Sequence, residues 1–238
     1  MIKDYITVVI PCKNEEKYIG NVLEDLSFQY GFDGTRIIIA DSGSLDATLD
    51  IIEAAKEELQ LNIEVIKGGS VSVGRNAGAK LVNTEFVIFI DADTRLLDNR
   101  IISEIYLDMH SKDLFTCKLA SVKGDILSSL MFSSFNFIQS RMKETFSTGM
   151  LMGIRKSVFD ELGGFDETIH QSEDYLLTRK IPKRRFRILP YYIGQDDRRF
   201  KKMGYFGMIR MMANNYFHRK DENHFRKNIN YWNEKESD

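Results

Sequence analysis

Short apolar runs alternate with amphipathic segments along the first hundred residues of the chain. The runs are rich in β-branched residues and lack a polar alternation, which is typical of strands covered on both faces of a parallel sheet. Between the runs, apolar residues recur at the spacing of a helix that buries one face. The predicted strands cover residues 5–10, 36–40, 63–66 and 86–90. This βαβαβαβ order with short connections predicts an α/β fold built on a doubly wound sheet.

Local signals set several boundaries within this pattern. Pro11 is expected to end the first strand, because proline has no backbone N–H to donate. Asn14 and Asp46 are expected to cap the helices that follow the first and second strands. A glycine-rich connection precedes a short helix predicted at residues 75–81. No G-x-G-x-x-G sequence follows the first strand, which argues against a dinucleotide cofactor.

The second half of the chain is less regular and richer in aromatic residues. The periodicity predicts a helix at residues 98–109 and a strand at residues 114–119. Core packing is the favoured role for the aromatic residues of segment 125–142, and a lid or groove over a bulky acceptor is the alternative. Segment 203–217 is expected to form a helix packed on the domain, with an interfacial membrane helix or a dimer contact as the alternative. From Asp221 the chain is polar and is expected to fray.

Composition and charge narrow the classes of protein. The chain has 238 residues, of which 43% are hydrophobic and 29% are charged, as in an ordinary globular protein. The formal net charge of -2 argues against nucleic acid as a general partner. Cys12 and Cys117 lie in apolar segments and are expected to be buried free thiols. There is no signal-peptide layout and no apolar run near the ~20 residues that span a bilayer, so a cytoplasmic location is expected.

Two carboxylates follow the most apolar of these runs. Asp91 and Asp93 come directly after residues 86–90, and they project to the same side if the backbone stays extended. This end of a parallel strand is where open α/β sheets bind ligands. Carboxylate oxygens suit Mg2+ or Mn2+ ions that also hold phosphate oxygens. Aspartate is also common in plain turns after strands, so the pattern alone leaves both interpretations open.

Four segments resemble the successive motifs of glycosyltransferase family 2, namely VVIPCKNEEKYI, IIIADSGSLDAT, GRNAGA and FIDADT. Residues 163–167 resemble the Gly-Gly-Phe-Asp-Glu turn of the same family. The resemblance implies the GT-A fold, a Rossmann-like, mostly parallel sheet with helices on both faces and a smaller acceptor-side half. It also implies a single domain over residues 1–220, with a nucleotide-sugar-binding half at 1–97, an acceptor-binding half at 98–220 and a polar tail at 221–238.

The resemblance further assigns roles to residues in the first half. Asp93 would be the main protein ligand of a Mn2+ or Mg2+ ion, and Asp91 would lie near the ribose or the metal. Asp41 would bond the base, and the residues that follow the first strand would line the nucleoside pocket. The complete implied nucleotide-sugar site comprises Pro11, Asn14, Glu15, Asp41, Arg75, Asp91 and Asp93.

Glu173 and Asp174 open a predicted helix in the second half. Acidic residues at a helix N-terminus stabilise the helix by about 0.3–1 kcal/mol, which is the plain structural interpretation. The pair also resembles the Glu-Asp motif of the family, which implies that Asp174 is the general base, with Glu173 as the nearest rival. Residues 195–200 partly resemble a Gln-x-x-Arg-Trp motif, which implies that Arg198 or Arg199 lies on the diphosphate side. The tryptophan is missing there, which disfavours a processive synthase, and a surface salt bridge is the alternative for either arginine.

The resemblance therefore predicts an inverting, metal-dependent transfer of one sugar from a UDP- or GDP-linked donor to an acceptor hydroxyl. The acceptor classes left open are a glycan, a lipid-linked acceptor and a protein. Peripheral contact with the inner face of a membrane is also left open. A nucleotidyltransferase is the rival enzyme, but it usually carries a glycine-rich basic loop after the first strand, where Lys13 stands alone. A nucleotide-sugar-binding protein without turnover is the alternative outside the enzymes.

Overall fold

The computed structural model describes residues 1–122, 124–195 and 198–226, and this part of the chain forms a mixed sheet with helices on both faces. The strands are β1 Ile6–Cys12, β2 Arg36–Asp41, β3 Asn62–Lys67, β4 Phe86–Ile90, β5 Thr94–Leu96, β6 Leu114–Ser121, β7 Leu151–Arg155 and β8 Phe186–Gln195. The helices are α1 Ile19–Ser27, α2 Thr48–Glu58, α3 Val71–Lys80, α4 Ile101–Asp108, α5 Ile126–Arg141, α6 Lys156–Glu161, α7 Glu173–Thr178, α8 Arg198–Phe217 and α9 Glu222–Arg226.

The strands of the described chain follow the order β3-β2-β1-β4-β7-β6-β8-β5 across the sheet. β3, β2, β1 and β4 pair in parallel, which confirms the βαβαβαβ prediction for the first half. β7 pairs antiparallel with both β4 and β6, and β8 pairs parallel with β6. Every residue of β4 is buried, because the strand lies in the middle of the sheet with helices on both sides.

The helices divide the core into two layers, one on each face of the sheet. Val8 of β1 belongs to the layer that also contains residues of α1, α2 and α4, and Val9 belongs to the layer of α3, α6 and α7. Both valines are fully buried, as alternation along a strand between two apolar layers requires. Phe132 of α5 and Met208 of α8 belong to the same layer as Val8.

The prediction that Pro11 ends the first strand is wrong. β1 continues to Cys12, whose carbonyl oxygen accepts a hydrogen bond from Ser42 N at 2.9 Å on the β2 side. Adjacent residues of a parallel strand direct their backbone N–H and C=O groups to opposite neighbouring strands. The backbone nitrogen of Pro11 is therefore directed towards β4, and the pairing between β1 and β4 already ends at Val9. The proline therefore removes no bond between the strands.

The two predicted helix caps lie outside the helices that they were expected to begin. Asn14 has a left-handed φ of 52° and lies in the loop before α1, where its side chain accepts a hydrogen bond from Leu45 N. Asp46 accepts a bond from Thr48 N at 3.1 Å, but it stands one residue before the N-cap of α2. The side chains therefore organise the loops after β1 and β2 rather than the first turns of the helices. α3 also begins earlier than predicted.

The polar tail is packed where the structure describes it. Phe225 of α9 is fully buried in a small apolar cluster that includes Tyr175 of α7. Its carbonyl oxygen accepts a hydrogen bond from His170 N at 3.1 Å. The expectation that the chain frays from Asp221 is therefore wrong for residues 221–226.

Both cysteines are buried free thiols, as predicted. Burial, with a smaller contribution from nearby carboxylates, raises the pKa of the Cys12 thiol to about 12. Burial also raises the pKa of the Cys117 thiol. Neither side chain is therefore ionised at neutral pH.

Candidate active site

Four neighbouring parallel strands end at one edge of the sheet, and predicted site residues lie at three of these ends. Asp41 is the last residue of β2 and pairs in register with Cys12, the last residue of β1. Pro11 precedes Cys12, and Asp91 directly follows β4, which pairs with β1 on its other side. The side chains predicted from the separate strand ends are therefore brought to the same edge, as the geometry of parallel strands requires.

The loops after β1 and β2 are hydrogen-bonded to each other. Asn14 N donates to Ser44 Oγ at 2.9 Å, and Asn14 Oδ1 accepts from Leu45 N at 2.8 Å. Glu15 N donates to Thr48 Oγ1 at 2.8 Å. These bonds connect positions about thirty residues apart, so the predicted wall of the nucleoside pocket is held in place by the protein itself.

The Asp41 carboxylate organises its own loop. Oδ2 accepts bonds from Gly43 N at 2.9 Å and Ser44 N at 3.1 Å, and Oδ1 accepts from Ser44 Oγ at 2.6 Å. Gly43 has a φ of 80°, which favours glycine. The structure therefore shows a loop-forming role for Asp41, and its bond to a base stays a prediction.

The condition under which Asp91 and Asp93 would project to the same side, an extended backbone past β4, is not met. Thr94 N donates to the Asp91 carbonyl oxygen at 3.0 Å and closes a turn, because β5 begins directly after Asp93. Asp91 N also donates to the carbonyl oxygen of Met150 at 3.3 Å, which brings the start of β7 beside this turn. Asp91 is partly exposed, and Asp93 is 7% exposed.

Arg75 lies at the centre of the candidate site. The side chain is 1% exposed, Nη2 donates to Asp91 Oδ1 at 2.6 Å, and Nη1 donates to Glu173 Oε1 at 2.8 Å. The guanidinium also lies 5.2 Å from the centre of the Phe165 ring. Burial lowers the pKa of Arg75, but Asp91, Glu173 and Asp174 raise it by more, so the group stays charged. The two ion pairs of Arg75 connect the turn after β4 to α7, the helix that carries Asp174.

Asp174 is held by backbone N–H groups on both of its oxygens. Oδ2 accepts from Gly149 N at 2.8 Å, and Oδ1 accepts from Tyr175 N at 2.7 Å. Burial, followed by the negative charge of Glu173, raises the pKa of Asp174 well above its usual value, and the opposing effects of Arg75 and the two N–H groups are smaller. A carboxylate oriented in this way with a raised pKa is suited to accept a proton.

The structure distinguishes the two members of the Glu-Asp pair. Glu173 is 7% exposed and spends one oxygen on the ion pair with Arg75, whereas Asp174 is partly exposed. Asp174 is therefore the less enclosed member of the pair, although its carboxylate is sufficiently shielded from water for its pKa to be raised. Arg198 and Arg199 begin α8, but their side chains lie outside the described residues, so their place beside a diphosphate stays a prediction.

The sequence reasoning missed two residues that build the site. A Cβ atom on Gly149 would lie 2.3 Å from Arg75 Nη2, so only glycine allows the arginine to pass. Asn76 accepts from Phe165 N at 3.0 Å and donates to the Phe165 carbonyl oxygen at 2.8 Å, which holds the aromatic ring beside Arg75. Asn76 lies in the GRNAGA segment, where it had a signal in the sequence, whereas Gly149 had none beyond its place just before a strand.

The turn after β4 offers carboxylates to a cation, but not a complete set of protein ligands. In the part of the chain that the structure describes, no group of three or more His, Cys, Asp or Glu side chains is arranged to hold a metal. One oxygen of Asp91 is bonded to Arg75, which leaves the other oxygen and Asp93 as donors. Mg2+ is commonly held by one or two carboxylates together with substrate phosphates. The donor set therefore fits an ion completed by a diphosphate and does not fit an ion held by the protein alone.

Comparison with known families gives the chain its assignment. The family model described as "Glycosyl transferase family 2" matches residues 7–163, which is well over half of the chain. The chain belongs to glycosyl transferase family 2. The matched range includes Asp41, Arg75, Asp91 and Asp93 and ends before Asp174.

Two curated relatives of this family 2 chain are named glycosyltransferases. It is 28% identical over 183 residues to the poly(ribitol-phosphate) beta-N-acetylglucosaminyltransferase TarS of Staphylococcus aureus, covering 73% of this chain and 32% of that protein. It is 26% identical over 190 residues to the O-antigen chain rhamnosyltransferase RfbN of Salmonella typhimurium, covering 74% of this chain and 60% of that protein. The chain thus spans about a third of the length of TarS.

Solved structures confirm the predicted GT-A fold. The crystal structure of S. aureus TarS 1-349 in complex with UDP-GlcNAc matches with a TM-score of 0.62 at 23% identity, covering 81% of this chain and 58% of that one. The mannosyltransferase PcManGT from Pyrobaculum calidifontis, in complex with GDP-Man and Mn2+, matches with a TM-score of 0.64 at 18% identity, covering 80% and 56%. The family 2 chain therefore shares their architecture.

Proposed function

We propose that this family 2 chain transfers one sugar from a nucleoside diphosphate sugar to an acceptor hydroxyl, with inversion at the anomeric carbon. The observation that carries the proposal is the ion-pair cluster around Arg75, which joins the turn bearing Asp91 to the helix bearing Asp174. UDP-GlcNAc in TarS and GDP-Man in the mannosyltransferase support a UDP- or GDP-linked donor.

The proposed step is a single displacement. The acceptor oxygen attacks the anomeric carbon on the side opposite the leaving group, and the bond between that carbon and the phosphate oxygen breaks. The electron pair leaves with the nucleoside diphosphate, and the hydroxyl proton passes to the Asp174 carboxylate. A raised pKa makes the ionised carboxylate a stronger base than an ordinary aspartate.

Asp93, with Asp91 beside it, would hold a Mn2+ or Mg2+ ion. When bound, the ion would neutralise negative charge on the departing diphosphate. The bond from Arg75 to one oxygen of Asp91 fixes the position of that carboxylate. The metal and the inversion are parts of the proposal, as is the identity of the donor.

Two variants test the separate roles proposed for Asp93 as a metal ligand and Asp174 as the general base. Asp93→Ala should weaken binding of UDP- or GDP-sugars in the presence of Mn2+, measured by titration calorimetry. Asp174→Asn should bind donor as the wild type does but lose about 10²-fold or more in transfer rate, because the carboxylate that accepts the proton is replaced by an amide. The amide keeps only one of the two backbone bonds that Asp174 accepts, so chemical unfolding is measured beside the rate. Asp33→Asn, at an exposed position away from the site, is the matched control for a lost carboxylate.

Several outcomes would contradict the proposal. Equal loss of donor binding in both variants would refute the separate roles, and full activity of Asp174→Asn would refute its role as the base. Donor binding by the wild type without transfer to any acceptor class would favour a binding protein without turnover. Release of pyrophosphate from a nucleoside triphosphate would favour a nucleotidyltransferase. Retention of the anomeric configuration in the product, read by NMR, would refute the single displacement.

A further inference from the structure

α5 presents a broad apolar face to solvent. Its opposite side is packed, with Phe132 5% exposed, Gln139 1% exposed and Asn136 hydrogen-bonded to both backbone groups of Leu119. The side chains on the outer face are large, apolar and at least half exposed, and they fall within about one third of the helix circumference at 3.6 residues per turn. They are Ile126 (82%), Leu127 (51%), Leu130 (60%), Phe137 (60%) and Ile138 (54%).

α8 repeats this arrangement after its interruption at Gly204, where φ is 71°. Met208 is 7% exposed and belongs to the same core layer as Phe132 of α5, so both helices pack on one layer. The outer side of α8 again carries large apolar side chains at helical spacing. They are Phe206 (80%), Ile209 (53%), Tyr216 (49%) and Phe217 (77%). These outer faces of α5 and α8 are called the apolar surface below.

All charged residues in the sequences of α5 and α8 are basic. Neither helix contains an aspartate or a glutamate. α5 ends at Arg141, whose guanidinium lies 4.8 Å from the centre of the exposed Phe137 ring, and α8 carries Arg210 on its outer side. The sequence of α8 contains four further basic residues, Arg198, Arg199, Lys201 and Lys202. In the described part of the chain no helix is long and apolar enough to cross a membrane.

We propose that the apolar surface binds the surface of an anionic phospholipid bilayer. Exposed apolar side chains interleaved with basic residues are the pattern of helices that lie in the interface, with rings and alkyl groups among the acyl chains and cations at the headgroups. Each basic residue near an anionic membrane adds electrostatic attraction that salt screens. A second copy of the chain would bring two helices of the same positive sign together, which disfavours it as the occupant.

The two helices that carry the apolar surface also contact the segment that carries Asp174, through other side chains. From α5, the ring of Phe135 lies 5.6 Å from that of Phe146, which lies 5.6 Å from the ring of Tyr175. From α8, Asn215 donates to Ser172 Oγ at 3.3 Å. Membrane binding through this surface would hold the acceptor side of the site at the lipid. If the proposed transfer holds, the acceptor is then carried by the membrane.

Vesicle flotation of the whole chain tests this inference. The wild type should float with vesicles of phosphatidylcholine mixed with phosphatidylglycerol, should float far less with phosphatidylcholine alone, and should be released by salt. The double variant Leu130→Ser with Phe137→Ser should lower the partition into mixed vesicles by about tenfold or more, because two large apolar side chains are lost from the interface. The matched control is Phe28→Ser with Leu107→Ser, which should float as the wild type does. Phe28, directly after α1, is 66% exposed, and Leu107 of α4 is 71% exposed.

Three results would overturn the inference. The first is failure of the folded wild type to float with anionic vesicles, and the second is equal flotation of the control and the test variants. The third is concentration-dependent dimerisation in sedimentation velocity that the Leu130 and Phe137 changes abolish, which would make a second copy the occupant. The outcome is separable from the proposed function, because flotation needs no turnover and Asp174→Asn should float as the wild type does.

Discussion

Arg75 carries a buried positive charge between carboxylates from two distant parts of the chain. Asp91 and Glu173 each accept one of its N–H groups, so the cost of removing the charge from water is offset by close partners. Burial and then the charge of Glu173 raise the pKa of Asp174, whereas the charge of Arg75 lowers it. Packing around the guanidinium is so close that Gly149 has no space for a side chain.

Gly149→Ala is expected to damage the site directly. The added Cβ would lie 2.3 Å from Arg75 Nη2, and the arginine cannot move away without breaking its ion pairs. We expect a loss of about 1–3 kcal/mol in the free energy of unfolding and at least about tenfold in transfer rate. Gly20→Ala, where the new Cβ would meet Ile51 at an ordinary 3.4 Å inside α1, is the control and should be neutral or slightly stabilising. Equal behaviour of both variants in urea unfolding and transfer assays would contradict this account.

The raised pKa of Asp174 predicts the pH dependence of transfer. The active form of a general base is the carboxylate, so the rate falls as the pH drops through the pKa of that group. Because the pKa is raised, the acid limb of kcat/KM should lie well above the value of about 4 that is normal for aspartate. Glu173→Gln removes the neighbouring negative charge and should move this limb to lower pH. A limb that stays in place in Glu173→Gln would show that the charge of Glu173 does not set the pKa.

At the scale of elements, α9 holds α7 in place. Arg179, which follows α7, donates to Glu222 of α9 at 2.7 Å, and Arg226 of α9 donates to Asp166 at 3.3 Å. Phe225 is fully buried between these ion pairs. Exposed ion pairs contribute little by themselves, so burial of this ring is the main stabilising contact.

Phe225→Ala is therefore expected to loosen the helix that carries Asp174. Truncation of a buried phenylalanine costs about 3–5 kcal/mol, which should appear in chemical unfolding. If the variant is folded, kcat should fall while the dissociation constant of the nucleotide sugar changes little, because the loops after β1 and β2 are held by hydrogen bonds to each other. Phe217→Ala, at a ring 77% exposed, is the matched control for stability. An unchanged kcat in folded Phe225→Ala would show that α9 does not position α7.

At the scale of the whole molecule, the two halves implied by the sequence share one sheet. β4 pairs with β7 over five residues, and the rings of Phe89 and Phe165 lie 5.2 Å apart across the boundary at residue 97. Both core layers contain residues from both halves. The predicted boundary near residue 97 is therefore not a boundary between separate folding units.

This sharing predicts a single unfolding transition for the whole chain. Loss of either half would expose one side of the fully buried β4, so neither half retains a complete core. Far-UV circular dichroism and calorimetry should give the same midpoint, and the calorimetric and van't Hoff enthalpies should agree. Two separated transitions would show that the halves fold independently.

The sequence predicted the first half of the fold well, because β-branched runs and helical periodicity are local signals. Strands β1 to β4 and the buried thiols were found in this way. The contact between Arg75 and Glu173 was not found, because it joins positions 98 residues apart and nothing in either segment marks the other. Pro11 was misjudged for a related reason, since the effect of a proline depends on which neighbour the strand pairs with there.

The buried thiols make the chain a convenient background for site-directed labelling. Cys12 and Cys117 are 4% and 0% exposed, and a protonated, enclosed sulfur reacts poorly with maleimides. A fluorophore attached through Phe137→Cys would therefore mark one known place on α5 without prior removal of either native sulfur. The wavelength of its emission maximum would then report whether the fluorophore moves into a less polar environment when lipid is added.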